Sequence, residues 1–408
     1  RSLGQPVRLF GENVADIRER LRRYLAQEEI ELEEQEKVQG MVAPKPVLVP
    51  RGVQVRGDSK AAEAQGAKKA DVVYSSGSDG LLEARALMAS FSFSRARERL
   101  AGAKRRRERP EEVKEMDSCA AEVMSTARHM VINSSQIGDD RPLSAIKVSP
   151  EGGMVATGSW TCLVKLWDIQ SLEMQKLLRG HSERITAVSW HPDAYSSVKN
   201  LLATGLCPPR LPSSRTAKLW DCDTGECVQT FHGHMARLAK IDFHPCGLYL
   251  GTASFDTTWR LWDVEKGKEI LLQDGHHKEV YGIAFQRDGA LVVTGDLNGD
   301  ARTWDLRSGK CLWTMEGHVK QITCTDFSPC GYEIATGSDD HMVRVWDIRK
   351  RQCIYCLPAH SALVSDVRYV QQGSGEVIMS ASFDGTAKLW STRDWSLLRT
   401  LSGHEGRV

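Results

Sequence analysis

At 408 residues with 41% hydrophobic content, the chain is long enough for one large domain with appendages. Its net charge of +1 excludes bulk polyelectrolyte behaviour, so any nucleic-acid contact must come from a local patch. No stretch approaches the roughly 18 consecutive apolar residues of a membrane span, and the N-terminus (Arg1-Ser-Leu-Gly-Gln-Pro) lacks a secretory pattern. It also lacks an initiator Met, so a natural start upstream is an expectation.

Residues 1–37 read as a helical segment. Asn13 is placed to cap a helix through Gln27, with Asp16 three residues on. Its apolar face is Val14, Ile17, Leu21, Tyr24 and Leu25, and six acids follow between Glu28 and Glu36. Residues 38–80, rich in Pro, Gly, Ala, Ser and charge, read as a linker. Residues 81–137 are expected to be helical and basic. Leu81 to Lys104 forms one helix, with Leu82, Leu87, Met88, Phe91 and Phe93 as its apolar content. Pro110 opens a second, whose Glu111 and Glu112 suit the helix dipole. Between them Arg95, Arg97, Arg99, Lys104, Arg105, Arg106, Arg107 and Arg109 stand against Glu98 and Glu108, a net of +6. Such a cluster suits phosphate contact in RNA or DNA, a nuclear-import signal or a solvated face.

From about residue 138 the pattern becomes periodic. Trp167-Asp168, Trp220-Asp221, Trp262-Asp263, Trp304-Asp305, Trp346-Asp347 and Trp390-Ser391 each close a short apolar strand. The four middle Trp residues stand 42 apart, after a step of 53 and before one of 44. A period of about 40–45 with Gly-His and Trp-Asp marks is the signature of WD repeats, each one four-stranded propeller blade. His234, His276 and His318 precede their Trp by 28, and His360 by 30. His181 precedes Trp220 by 39, so that blade holds eleven extra residues, split between Asp193–Asn200 and Leu206–Ser214. The second insert is proline-rich and is expected to be a loop between the blade's second and third strands.

Polar residues recur with the period. The predicted blade network joins His234, Ser254, Asp256 and Trp262; His318, Ser338, Asp340 and Trp346; and His360, Ser382, Asp384 and Trp390. Each side chain would satisfy the next, as burial of polar groups requires. In the Trp304 blade Asn298 holds the acid position, and in the first blade Asp139 and Thr161 replace the His and the acid. A Ser-His-Asp set suggests catalysis, but active sites are normally single and this set recurs, so no catalytic residue is expected. The Asp384-Gly385 turn reads as a hairpin turn. Cysteines also follow the repeat, as in Cys227, Cys311 and Cys353 or Cys246 and Cys330. The Cys353–Cys356 pair has no second pair at metal-ligand spacing, so neither a metal nor a cofactor is expected, and the thiols are expected to be reduced.

His129-Met-Val-Ile-Asn-Ser is placed to lend a closing strand to the last blade. Gly403-His404 opens a further repeat that stops at Val408. The expected fold is therefore an all-β, seven-bladed propeller over residues 138–408, with six full blades and a truncated seventh, behind a helical and partly disordered N-terminal region.

Leu9-Phe-Gly-Glu-Asn, followed by Asp16-Ile-Arg-Glu-Arg-Leu-Arg, resembles the splicing-factor motif of certain pre-mRNA processing proteins. Joined to a basic helical segment, Ile137-Gly-Asp-Asp-Arg-Pro-Leu-Ser and WD repeats such as Trp259-Arg-Leu-Trp-Asp, it is similar to the WD-repeat subunits of the U4/U6 small nuclear ribonucleoprotein. That resemblance implies a non-catalytic scaffold of the U4/U6-U5 tri-snRNP in the nucleus. It implies as partners U4 and U6 RNA (directly or through other proteins), another U4/U6 pre-mRNA-processing subunit, a cyclophilin-type prolyl isomerase and further tri-snRNP proteins. Leu9, Phe10, Gly11, Glu12, Ile17 and Leu21 are then the candidate docking element, and Arg95–Arg109 the candidate RNA contact. The alternative is a generic WD-repeat adaptor in ubiquitin ligation or signalling, for which residues 1–137 would be incidental.

Overall fold

In the computed structural model, residues 79–108, 110–194, 200–207, 215–370, 375–404 and 406 are described. All belong to the compact unit Lys68–Val408. Among the described residues, two helices, α1 (Asp79–Glu108) and α2 (Pro110–His129), precede twenty-four strands. The strands form six four-stranded antiparallel sheets, each from consecutive strands. β1–β4 span 143–178, β5–β8 184–232, β9–β12 238–273, β13–β16 280–315, β17–β20 322–358 and β21–β24 364–402. Each sheet is one blade.

Strand alternation explains the stacking. Successive side chains of a strand point to opposite faces, and a bulge after the first residue of each inner strand shifts that alternation by one, so the innermost strand of each blade presents its first, fourth and sixth residues to the preceding blade. Ile185, Val188 and Trp190 of β5 (Arg184–Trp190, counting from Ile185) pack with Leu166 and Leu178 of blade 1. In β21 (Val364–Tyr369) the matching Val364, Val367 and Tyr369 meet Val343 and Val345 of blade 5. The corresponding residues of blade 1, in β1 (Leu143–Val148), are Leu143, Ile146 and Val148, and they are 44%, 63% and 54% exposed. The inner-strand face of blade 1 that precedes the stack is therefore open.

Two expectations change. The described residues hold six blades, not seven. The closing strand expected at His129–Ser134 is absent: His129 ends α2 and residues 130–139 form no strand. The last blade takes its fourth strand, β24 (Leu397–Ser402), from its own repeat, so none is borrowed. The proline-rich insert does fall between the second and third strands of blade 2, β6 (Leu201–Cys207) and β7 (Thr216–Asp221).

The helices lie against the propeller. On α1, Leu81, Ala84 and Met88 are buried with Tyr249, Trp259 and Leu306. Their spacing of three and four residues makes one helical stripe. On α2, Val123, Met124 and Ala127 pack against Val377 and Leu389 of blade 6. Arg393 Nη2 adds an ion pair to Asp117 at 2.8 Å. Leu82 and Phe93, counted with the apolar content of α1, are 63% and 62% exposed instead. No helix among the described residues is long and apolar enough to cross a membrane.

Candidate functional site

The repeating polar network forms, with one residue exchanged. In blade 5, β18 (Glu333–Ser338) carries Thr336, wholly buried, ten residues before Trp346. Trp346 Nε1 donates to Thr336 Oγ1 at 2.9 Å, and Thr336 lies 2.8 Å from His318 Nε2. His318 Nδ1 lies 2.8 Å from Asp340 Oδ2. A carboxylate only accepts, so Nδ1 carries the proton and Nε2 accepts from the hydroxyl. Blade 3 repeats this through Trp262, Thr252, His234 and Asp256. Blade 6 does so through Trp390, Ser380, His360 and Asp384.

The bridging hydroxyl is therefore not Ser254, Ser338 or Ser382. Those serines sit two residues later, beyond the reach of the indole. They donate instead to the carbonyls of Arg237, Lys320 and Leu363, at 3.1, 3.1 and 2.8 Å. Each also accepts the amide of the following acid and so positions Asp256, Asp340 or Asp384. The signal was present in the sequence, since Thr157, Thr252, Thr294, Thr336 and Ser380 all stand ten residues before a Trp.

Blade 4 differs again. Asn298 does not replace the acid; Asp296, at the serine position, accepts from His276 Nδ1 at 3.1 Å. In blade 1, Thr161 donates to Asp139, which inverts the usual polarity of that pair. Burial works against the Asp139 charge, but hydrogen bonds from Thr161 and Ser159 hold its carboxyl down at about 2. Blade 2 has no acid partner among the described residues: His181 Nδ1 is unbonded there, and burial pushes its pKa down to about 3. Burial also lowers His234, His276 and His360, against the opposing pull of their carboxylates. A network hydroxyl with no exposure, already bridging Trp and His, offers no nucleophile to a solute.

A second set of contacts joins neighbouring blades on the turn after three of the inner strands. His191 Nε2 meets the Gly247 carbonyl at 3.1 Å, His244 Nε2 the Gly289 carbonyl at 2.8 Å, and Gln286 Nε2 the Gly331 carbonyl at 2.7 Å. Burial pushes His244 down to about 4, so it is neutral and donates through Nε2. Around the channel, Lys240 of blade 3 reaches Asp366 of blade 6 at 3.2 Å, and Arg368 lies 3.4 Å from Asp366 and 3.6 Å from Asp326. The repeat signature did not announce this belt, because only some blades contribute to it. Cys353 and Cys356 both lie in β20 (Gln352–Pro358), and burial raises the Cys353 thiol.

The basic cluster divides. Arg99 pairs with Asp288, Nη2 to Oδ2 at 2.7 Å, and its guanidinium lies 4.5 Å over the Tyr332 ring. Burial opposes the Arg99 charge, but Asp288 outweighs it and the pKa rises. Arg95 Nη1 donates to the Arg287 carbonyl at 2.9 Å and stacks over Phe91, whose ring is 5.8 Å from His244. These two arginines fasten α1 to turns of blades 4 and 5. Arg97, Lys104 and Arg105 are exposed. Lys104 pairs with Glu108 at 3.8 Å across the helix surface, a contact worth little in water. Arg106 and Arg107 also belong to α1. Arg109 and the docking candidates Leu9, Phe10, Gly11, Glu12, Ile17 and Leu21 lie outside the described residues.

Comparison with known families agrees with this geometry. The WD domain, G-beta repeat family matches six segments, 133–168, 172–221, 225–263, 267–305, 309–347 and 351–391, together more than half of the chain. The chain belongs to the WD-repeat family. The pre-mRNA processing factor 4 (PRP4) like family matches residues 1–24, which include all six docking candidates. Among curated relatives, the U4/U6 small nuclear ribonucleoprotein PRP4-like protein of Arabidopsis thaliana is 41% identical over 237 residues, 57% of this chain and 37% of that protein. The U4/U6 small nuclear ribonucleoprotein Prp4 of Homo sapiens is 39% identical over 198 residues, 48% of this chain and 34% of that protein. An uncharacterised WD repeat-containing protein of Schizosaccharomyces pombe is 36% identical over 261 residues, 62% of this chain and 49% of that protein. The alignments thus span less than half the length of each of these relatives. The N-terminal match and these relatives together make this WD-repeat protein Prp4-like.

Proposed function

We propose that the chain is a non-catalytic scaffold subunit of the U4/U6 small nuclear ribonucleoprotein, acting in pre-mRNA splicing in the nucleus. The observation that carries this reading is a PRP4-like segment at residues 1–24 on the same chain as six WD repeats. Repeats alone serve many unrelated roles, and fold does not imply function. In this reading the blades give a rigid body whose polar interior is spent on its own cohesion. Residues 1–24, with Leu9, Phe10, Gly11, Glu12, Ile17 and Leu21, dock a partner protein. The partner classes are another U4/U6 pre-mRNA-processing subunit, a cyclophilin-type prolyl isomerase and further tri-snRNP proteins. The basic helix meets RNA phosphate, where each neutralised charge gains by counterion release.

The test is purification of the tagged full chain from nuclear extract, probed for U4 and U6 RNA. Enrichment of both is the expected result. Deleting residues 1–36 is expected to lose at least one protein partner. Recovery of neither RNA above background, or an unchanged partner set after the deletion, would favour a generic adaptor.

A further inference from the structure

The basic cluster of α1 holds Arg97 and Lys104 on one side of the helix and Arg95 and Arg99 on the other, with Arg105 about 80° round from Arg97. At 3.6 residues per turn, Arg97 and Lys104 share a phase to within about 20°, whereas Arg95 and Arg99 lie about 160° from Arg97. The contacts follow that phase. Arg99 is spent on Asp288 and Tyr332, and Arg95 on the Arg287 carbonyl and Phe91. They continue the stripe of Leu81, Ala84 and Met88, which is buried against the propeller. Arg97, Lys104 and Arg105 are exposed along the rest of the helix. The first two stand about 10 Å apart along the axis, at 1.5 Å per residue.

We infer that Arg97, Lys104 and Arg105 form the phosphate-binding face of α1, whereas Arg95 and Arg99 are clamp residues that hold the helix to the propeller. The inference rests on the proposed RNA-binding reading and assigns its residues. Three features favour RNA as the occupant. Within α1, residues 95–108 hold two acids, Glu98 and Glu108, beside these three cations. Its cations sit on a regular helix, which suits the repeating charge of a nucleic-acid strand. The helix is already fixed at its other side by buried apolar residues and an ion pair at 2.7 Å. A fixed helix has less ordering entropy to lose on binding than a free basic tail.

The experiment uses the full chain and annealed, in vitro transcribed U4/U6 RNA, with affinity measured across a salt titration. Three proteins are compared: wild type, the triple variant Arg97→Gln, Lys104→Gln, Arg105→Gln, and the clamp variant Arg99→Gln. Thermal unfolding is recorded for each. The triple variant is expected to lower the slope of log affinity against log salt by about one for each residue, roughly three in all, and to leave Tm unchanged. The clamp variant is expected to raise amide exchange or lower Tm with little change in slope. Wild-type binding that the triple variant leaves unaltered would overturn the assignment while the RNA-binding reading stood. A slope lost equally in Arg99→Gln would overturn the division between the two sets. No binding by the wild-type protein would end both.

Discussion

The six blades and the helical arm solve opposite problems. Four of the blades repeat one solution: a buried hydroxyl receives the indole N–H and reaches a His, which an acid then holds. The arm is unrepeated. Its contacts include an apolar stripe, an ion pair to Asp288 and a guanidinium on a carbonyl, each made once. Repetition means that polar residues recurring with the blade are cohesive, and that a functional surface is sought where the pattern breaks.

The largest predicted effect tests the cohesive half. Thr336→Val keeps the shape but leaves Trp346 Nε1 and His318 Nε2 without a buried partner, which should cost on the order of 3 kcal/mol. Ser338→Ala, two residues on, loses the bond to the Lys320 carbonyl and the one accepted from the Asp340 amide, and should cost less, about 1–2 kcal/mol. Urea unfolding of the two variants decides between them, and equal losses would restore the serine to the network. Neither change should alter RNA association.

An effect of similar size, confined to low pH, is expected where the two regions meet. His244 binds the Gly289 carbonyl and faces Phe91 of the arm. Its folded pKa is lowered by burial from the ordinary 6.5 to about 4. The unfolded chain therefore takes up a proton, as pH falls from 6.5 to 4, that the folded state refuses. Stability is full above 6.5 and is lost through that window, on the order of 3 kcal/mol from this residue. Asp139 and Asp340, held down at about 2, add their loss only below the ordinary carboxylate value of 3.8. His244→Gln copies Gln286, which makes the same bond in the next blade. It should flatten the decline in Tm between pH 6.5 and 4 while changing little at pH 8.

The smallest effect sharpens the repeat itself. The turn before the third strand of a blade needs a left-handed residue. Gly385 supplies it in blade 6 with φ 79, but Thr257 takes φ 69 in blade 3. A β-branched residue is strained there. Thr257→Gly should raise stability by about 1 kcal/mol or less, read as a small rise in Tm.

How much was legible followed the same division. The strands, the hairpin turns, the place of the insert and the His–Asp pairs could be read from spacing, because a fixed period forces equivalent residues into equivalent sites. The hydroxyl was misplaced by two residues, since Ser254 and Thr252 lie on the same face of one strand and spacing alone does not separate them. Asp296 was missed because a longer acid side chain at the serine position can reach the His that Asn298 was expected to serve. The closing strand at His129–Ser134 was wrong because β24 already completes the last blade. In the arm, composition located the cations, but only tertiary packing could divide Arg95 and Arg99 from Arg97, Lys104 and Arg105.

Amide hydrogen exchange across residues 79–108 of the free, full chain tests most directly whether the arm is built into the propeller. The account predicts slow exchange through Leu81–Arg99, approaching that of the inner strands, and faster exchange in Arg99→Gln. Exchange at the rate of an isolated helix in the wild-type protein would contradict it.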